Sequence, residues 1–111
     1  MNKRYTPDTG DIVHVHFEQI GHGVDSYKAA LVLSPMAYNK KTGLMVCCAI
    51  STDIKGYPFE VILDSDRPVA VLSDQIKSID WAHASISHHG RAGVTELAQV
   101  RAKLLALVSK S

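Results

Sequence analysis

Histidine, lysine, hydroxyl and carboxylate side chains are the groups that move protons and hold phosphate. This chain places a set of them at loops and strand ends: His22, Lys28, Ser51, Thr52, Asp74 and Gln75. Metal-free cleavage of a ribose phosphodiester needs few parts. A base takes the 2′-OH proton, a cation or hydroxyl donor stabilises the pentacoordinate phosphate, and an acid protonates the leaving 5′-oxygen. Histidine, lysine and a hydroxyl can supply all three. The same residue types also make up an ordinary polar surface, and side-chain chemistry alone favours that plainer reading.

Other chemistries have less support. His14 and His16 form a His-x-His pair and His88-His89 a second pair. Together they have the donor type of a zinc site, but no carboxylate or cysteine stands at matching spacing. A polar strand face plus an exposed loop is the expected reading, and no metal or other cofactor is expected. The nucleotide-binding patterns G-x-x-x-x-G-K-[ST] and G-x-G-x-x-G do not occur, nor does the hydrolase pattern G-x-S-x-G. The two cysteines, Cys47 and Cys48, are adjacent. Neighbours on a strand point to opposite faces, so a bridge between them would be strained. One of them is expected in the core, and the pair is consistent with a reducing compartment.

The elements that must position these groups read as β in the first half. Asp11–Phe17 alternates, with Val13, Val15 and Phe17 on one face and Ile12, His14 and His16 on the other. Gly21–Ser26 is a loop of glycines and small polar residues. Ala29–Ser34 is a continuous apolar run, expected to be a strand buried on both faces and ended by Pro35. Residues 36–42 fit a short turn or a single helical turn before Gly43. Further strands are expected at 44–50, 58–63 and 69–72, and a short one from Ile76 to Trp81. Ser51–Gly56 and Asp64–Pro68 connect them, and His88–Gly93 reads as a loop. Trp81 is expected to pack. From Thr95, a plausible N-cap, the apolar residues Leu97, Val100, Leu104, Leu107 and Val108 share one helical face. Glu96 would sit in the first turn. Short strands followed by one packing helix predict a mainly β chain, of the small-barrel kind, closed by a C-terminal helix.

The length of 111 residues and the 46% hydrophobic content suit a single domain over residues 1–111 with one core. Charged residues make up 21%, an ordinary globular balance. No apolar run reaches the roughly 20 residues of a bilayer span. The first residues carry no apolar stretch of the signal-peptide kind. A cytoplasmic location and no membrane association are the expectations. Net charge is +1. Lys28, Lys40, Lys41 and Lys55 stand against Asp53 alone in the stretch 28–59, so a basic face is possible beside the plainer alternative of a mixed surface.

Motif order adds a resemblance. Arg4-Tyr5, Pro7-Asp8, Gly10-Asp11-Ile12, Leu31–Pro35, Tyr38–Gly43, Lys55–Val61, Ser73–Ile79 and Trp81 occur in the order and spacing of MazF-type toxins. These form the MazF/Kid/PemK family of type II toxin–antitoxin systems. The resemblance runs from about Tyr5 into the C-terminal helix. It implies an SH3-like β-barrel of the MazF/CcdB type, a homodimer, and a metal-independent endoribonuclease cutting single-stranded mRNA at short sequences. The products would carry a 2′,3′-cyclic phosphate and a 5′-OH. The implied partner is a MazE-like antitoxin with an acidic, disordered tail.

Carried over by position, the resemblance implies catalytic roles for Lys28, Ser51 and His22. It implies RNA contacts from Thr52, Lys55, Tyr57, Asp74, Gln75 and Lys77. The first loop departs from the family pattern: it reads Gly21-His22-Gly23-Val24-Asp25-Ser26-Tyr27-Lys28-Ala29, with Lys28 where the family has arginine. Lysine keeps a point charge but loses the planar fork that grips phosphate. A catalytically weakened homologue and a CcdB-like gyrase-binding toxin therefore stand as the alternatives.

Overall fold

The alternation at Asp11–Phe17 becomes strand β1 in the computed structural model, which describes residues 5–17, 26–63 and 67–109. Val13 and Val15 are fully buried on one face, while Ile12, His14 and His16 are half-buried on the other. The remaining elements are β2 (Ser26–Val32), α1 (Met36–Thr42), β3 (Met45–Ser51), β4 (Glu60–Leu63), β5 (Val69–Ile79), β6 (Ser85–Arg91) and α2 (Val94–Val108). The strands form one six-stranded sheet in the order β4-β5-β3-β2-β1-β6, with every neighbouring pair antiparallel. Among the described residues β4 and β6 share no ladder, so the sheet does not close into a full ring. The expected class, mainly β with one C-terminal helix, is the one observed. No helix of the described residues is long and apolar enough to cross a membrane.

Apolar side chains collect on both faces. Val13, Val15, Ala30, Val32, Met45, Cys47 and Trp81 form one core cluster. Leu31, Cys48, Val61, Leu63 and Val71 form the other, which Val100 of α2 covers. Strands β2 and β3 feed both clusters, as their unbroken apolar runs require. Each fully buried valine or leucine contributes about 1.5–3 kcal/mol. Both cysteines are buried rather than one, because consecutive positions on a central strand each meet a packed face. Burial pushes the Cys47 thiol up to about 12 and the Cys48 thiol up to about 11.

Several boundaries differ from the sequence reading. Helix α1 is longer than one turn. Gly43 ends it at φ +73°, donating its N–H to Asn39 O at 2.9 Å, a conformation that favours glycine. The strand expected from Pro58 begins only at Glu60, after a turn in which Glu60 N donates to Tyr57 O at 3.1 Å. The two strands expected at 69–72 and from Ile76 are one, β5. The polar run Ser73-Asp74-Gln75 does not break it but bulges it. Two residue steps on β3, from Cys48 to Ile50, face five on β5, from Ile76 to Val71.

Most of the expected His88–Gly93 loop is strand: β6 pairs with β1 through Arg91. In α2 the N-cap is Gly93 and not Thr95, because Leu97 N already donates to Gly93 O at 3.0 Å. Glu96 lies in the first turn, folded so closely over Gly93 that a Cβ there would collide with its carboxylate. The helix buries Val100 and half-buries Leu97 and Leu104. Leu107 and Val108, expected on the packing face, are exposed.

Candidate functional site

The described candidate groups line two hollows of the sheet, with Lys28 and Lys77 in one and Ser51, Lys55, Tyr57, Asp74 and Gln75 in the other. The β2–β3 pairing ends at Ala30↔Ala49. Beyond that pair the strands carry Lys28 and Ser51, two residues further on each. Side chains alternate along a strand, so Lys28 and Ser51 project to the face that holds Val15 and Cys47. The pairs Val15↔Lys28 and Cys47↔Lys77 set the same face for both lysines. Lys28 and Lys77 line a hollow of about 470 Å³ floored by Val15, Ala30, Cys47 and Ala49. Burial pushes the Cys47 thiol in that floor up to about 12, which favours its protonated, less reactive form near neutrality.

A smaller hollow, about 140 Å³, gathers Ser51, Lys55, Tyr57, Asp74 and Gln75, together with Asp53, Glu60 and Leu72. Five of the sequence-derived candidates therefore share one depression. Asp74 and Gln75 reach it because they lie in the β5 bulge. Ser51 Oγ accepts from Asp53 N at 3.0 Å and makes only a long contact, 3.4 Å, with Asp53 O. That second contact is weak enough to be exchanged for another acceptor. Lys55 Nζ sits 3.8 Å from Asp53 Oδ2 and 5.9 Å from the Tyr57 ring centre. Tyr57 is 59% exposed, an unusual state for a large aromatic side chain. Thr52 follows Ser51, is exposed, and lines neither hollow. His22 lies outside the described residues.

Glu60 is the residue that the sequence reading missed. Its Oε2 accepts from Lys55 N at 3.0 Å, and its Oε1 accepts from Gly56 N at 2.7 Å and Tyr57 N at 3.2 Å. Those backbone N–H groups, Lys55 first, hold the carboxyl below its usual range. The only available signal was a carboxylate following a glycine turn in Gly56-Tyr-Pro-Phe-Glu60.

Three of the four histidines discussed above, His14, His16 and His89, lie together, and His88 lies apart. His14 and His89 stack with ring centres 3.6 Å apart and planes 13° apart. Ser87 Oγ lies 3.0 Å from His89 Nε2 and 3.4 Å from His16 Nε2. His88 belongs to another cluster, with Asp11 Oδ1 3.7 Å from its Nε2 and Tyr5 edge-on to its ring. Tyr5 donates to Asp11 Oδ2, and Arg91 Nη1 lies 3.4 Å from Oδ1. Among the described residues no three His, Cys, Asp or Glu side chains are placed to hold a metal ion. A larger hollow, about 580 Å³, opens beside the His14–His89 stack near the start of α2, but neither Lys28 nor Ser51 lines it.

A small antiparallel sheet capped by one C-terminal helix, with a lysine and a serine hydroxyl at the parting of two strands, defines a small mainly β protein. Residues 8–108 match the family described as PemK-like, MazF-like toxin of type II toxin–antitoxin system, and the chain belongs to that family. It is 41% identical over 115 residues to the endoribonuclease toxin MazF of Escherichia coli strain K12, covering 97% of this chain and 99% of that protein. Among solved structures it is similar to the MazE-MazF complex (Form-II) from Deinococcus radiodurans. There the TM-score is 0.87 with 41% identity, over 97% of this chain and 100% of that one. A mycobacterial endoribonuclease in complex with its cognate antitoxin shares the fold at TM-score 0.73 and 17% identity, over 95% of this chain and 97% of that one.

Proposed function

We propose that this chain is the toxin of a toxin–antitoxin pair and cleaves single-stranded RNA. The observation that carries the reading is its 41% identity, over nearly its whole length, to an endoribonuclease toxin. Two of the groups that such a reaction needs, Lys28 and Ser51, also project to one face of the sheet by strand alternation. In the proposed reaction a 2′-oxygen attacks the adjacent phosphorus and the bond to the 5′-oxygen breaks. The products are a 2′,3′-cyclic phosphate and a 5′-OH, and no metal takes part. The Lys28 ammonium offsets charge on the pentacoordinate phosphate, and the Ser51 hydroxyl donates to a phosphate oxygen. His22 shuttles the proton. Asp74 orients the substrate, and Thr52, Lys55, Tyr57, Gln75 and Lys77 contact flanking nucleotides by charge, hydrogen bonding and stacking.

The reading extends to a homodimer and to a MazE-like antitoxin whose acidic tail would cover the cationic face. The antitoxin part of the reading is supported by the similar structure from Deinococcus radiodurans, which is a MazE-MazF complex.

The test is incubation of the purified protein with a long unstructured RNA in EDTA, with fragment ends mapped. Discrete cuts with 5′-OH ends are expected. Ser51→Ala should lower the rate about 100-fold, as loss of one transition-state donor does. Ser51→Thr, which keeps the hydroxyl, should retain most activity. Intact RNA with both the native protein and Lys28→Arg would overturn the proposal.

A further inference from the structure

We infer that Glu60 is a positioning residue for substrate binding: its carboxylate clamps the Lys55–Gly56–Tyr57 segment and so fixes the two side chains that meet the RNA. The inference rests on the reading of Lys55 and Tyr57 as RNA contacts. Three consecutive backbone N–H groups converge on one carboxylate, at 3.0, 2.7 and 3.2 Å. Convergence of successive N–H groups makes an anion-binding concavity. It depends here on Gly56, whose φ of +80° turns the chain so that all three donors point inward. The protein fills this concavity with its own anion.

The clamp reaches further than the loop. Glu60 N donates to Tyr57 O, and Ser73 N donates to Phe59 O at 3.0 Å, one residue before the Asp74-Gln75 bulge. Lys103 of α2 donates to Pro58 O. One short segment thus sets the Lys55 and Tyr57 side of the smaller hollow and braces the Asp74 side. Ser51 and Lys28 are carried by β3 and β2 and do not depend on it.

No other side chain replaces this carboxylate. Glutamine has a single acceptor oxygen, and its NH₂ would face an N–H donor. Aspartate is one methylene shorter and cannot reach across the turn from the same backbone position. Loss of the clamp leaves Lys55 and Tyr57 on a segment that must be ordered by the RNA itself, and that ordering weakens binding.

Two measurements test this. Hydrogen exchange of the Lys55, Gly56 and Tyr57 amides should speed up at least ten-fold in Glu60→Ala, while the amides of β1 and β3 keep their protection. Unchanged exchange at those three amides would overturn the clamp, whether or not the protein acts on RNA. In the cleavage assay Glu60→Ala and Glu60→Gln should raise KM about ten-fold, well beyond any fall in kcat. Lys55→Ala should add little in the Glu60→Ala background, since the two act as one unit. Full additivity, or a loss confined to kcat, would overturn the positioning role. Absence of cleavage by the native protein would instead sink the proposed function and leave the exchange result to decide the clamp.

Discussion

At position 28 the chain carries a compact ammonium where the resemblance to MazF-type toxins implies a guanidinium. A guanidinium presents two parallel N–H donors to phosphate, whereas lysine presents one rotating charge. Lys28→Arg is therefore expected to raise the cleavage rate, by roughly ten-fold for about 1.4 kcal/mol of added transition-state stabilisation. Single-turnover kinetics with excess enzyme would measure this. A lower rate would mean that the surrounding hollow is shaped for lysine. The cysteines lead to the opposite kind of expectation. Burial pushes the Cys47 thiol up to about 12, so it is protonated and shielded near neutrality although it floors the same hollow. Neither cysteine should be alkylated by iodoacetamide at neutral pH unless the protein unfolds, which intact-mass spectrometry would report. In the sequence Lys28, Ser51 and Asp74 stood out through motif order, because their side-chain chemistry alone also fits an ordinary polar surface. Glu60 did not, since its partners are backbone N–H groups that carry no sequence signature.

At the scale of elements, one buried asparagine joins several of them. Asn39, fully buried in α1, donates through Nδ2 to Pro7 O at 2.8 Å and Ser34 O at 3.0 Å, and Ser34 Oγ donates to its Oδ1 at 2.6 Å. Ser34 Oγ in turn accepts from Val46 N at 2.8 Å, and Trp81 Nε1 donates to Asn39 O at 3.0 Å. Every polar atom of the asparagine side chain is used, so its burial does not leave an unpaired group. Asn39→Ala strands at least three partners and should cost roughly 2–4 kcal/mol, read from the urea midpoint. Trp81→Phe keeps most of the apolar contact and loses one hydrogen bond, so roughly 1–2 kcal/mol is expected. A cost as large as that of Asn39→Ala would show that the indole contributes mainly through packing. Sequence patterns found β1 and the central strands well because their alternation or apolar runs are strong. They split β5 and read the His88–Arg91 part of β6 as loop because neither shows alternation over its polar stretch. Backbone pairing to β3 and β1 decides both strands.

For the whole molecule, the contact between β1 and the edge strand β6 leads to an expected acid sensitivity of the fold. The His14 and His89 rings stack face to face between β1 and β6, a geometry that suits neutral rings. Burial first, then the charges of His89 and His16, holds His14 below its ordinary value. A histidine with a depressed folded value favours the neutral form in the folded state. The unfolded chain then binds more protons, so stability is complete above the ordinary imidazole value of about 6.5 and declines as pH falls below it. The urea midpoint should drop between pH 7.5 and pH 5.5, and His14→Phe should flatten that drop. An unchanged slope in the variant would place the sensitivity elsewhere. A second decline is expected at lower pH. Backbone N–H groups of Met36 and Thr9 hold the Asp8 carboxyl below its usual range, and that stabilisation is lost as the carboxylate protonates.

The sequence by itself determined the mainly β class, the C-terminal helix, the family and most of the candidate residues. These follow from local periodicity and from motif order along the chain, and both are one-dimensional properties. Only the tertiary structure decided that Lys28 and Ser51 share a face, because that depends on where the β2–β3 pairing stops. It also decided that Asp74 and Gln75 reach the same hollow, through a bulge created by unequal strand lengths between two fixed pairings. Tertiary structure also separated His88 from His89: at the register shift between Ile12 and Val13, His89 stacks on the His14 ring while His88 lies beside Asp11. Register is a long-range property, set when distant strands satisfy their backbone hydrogen bonds and bury their apolar faces together.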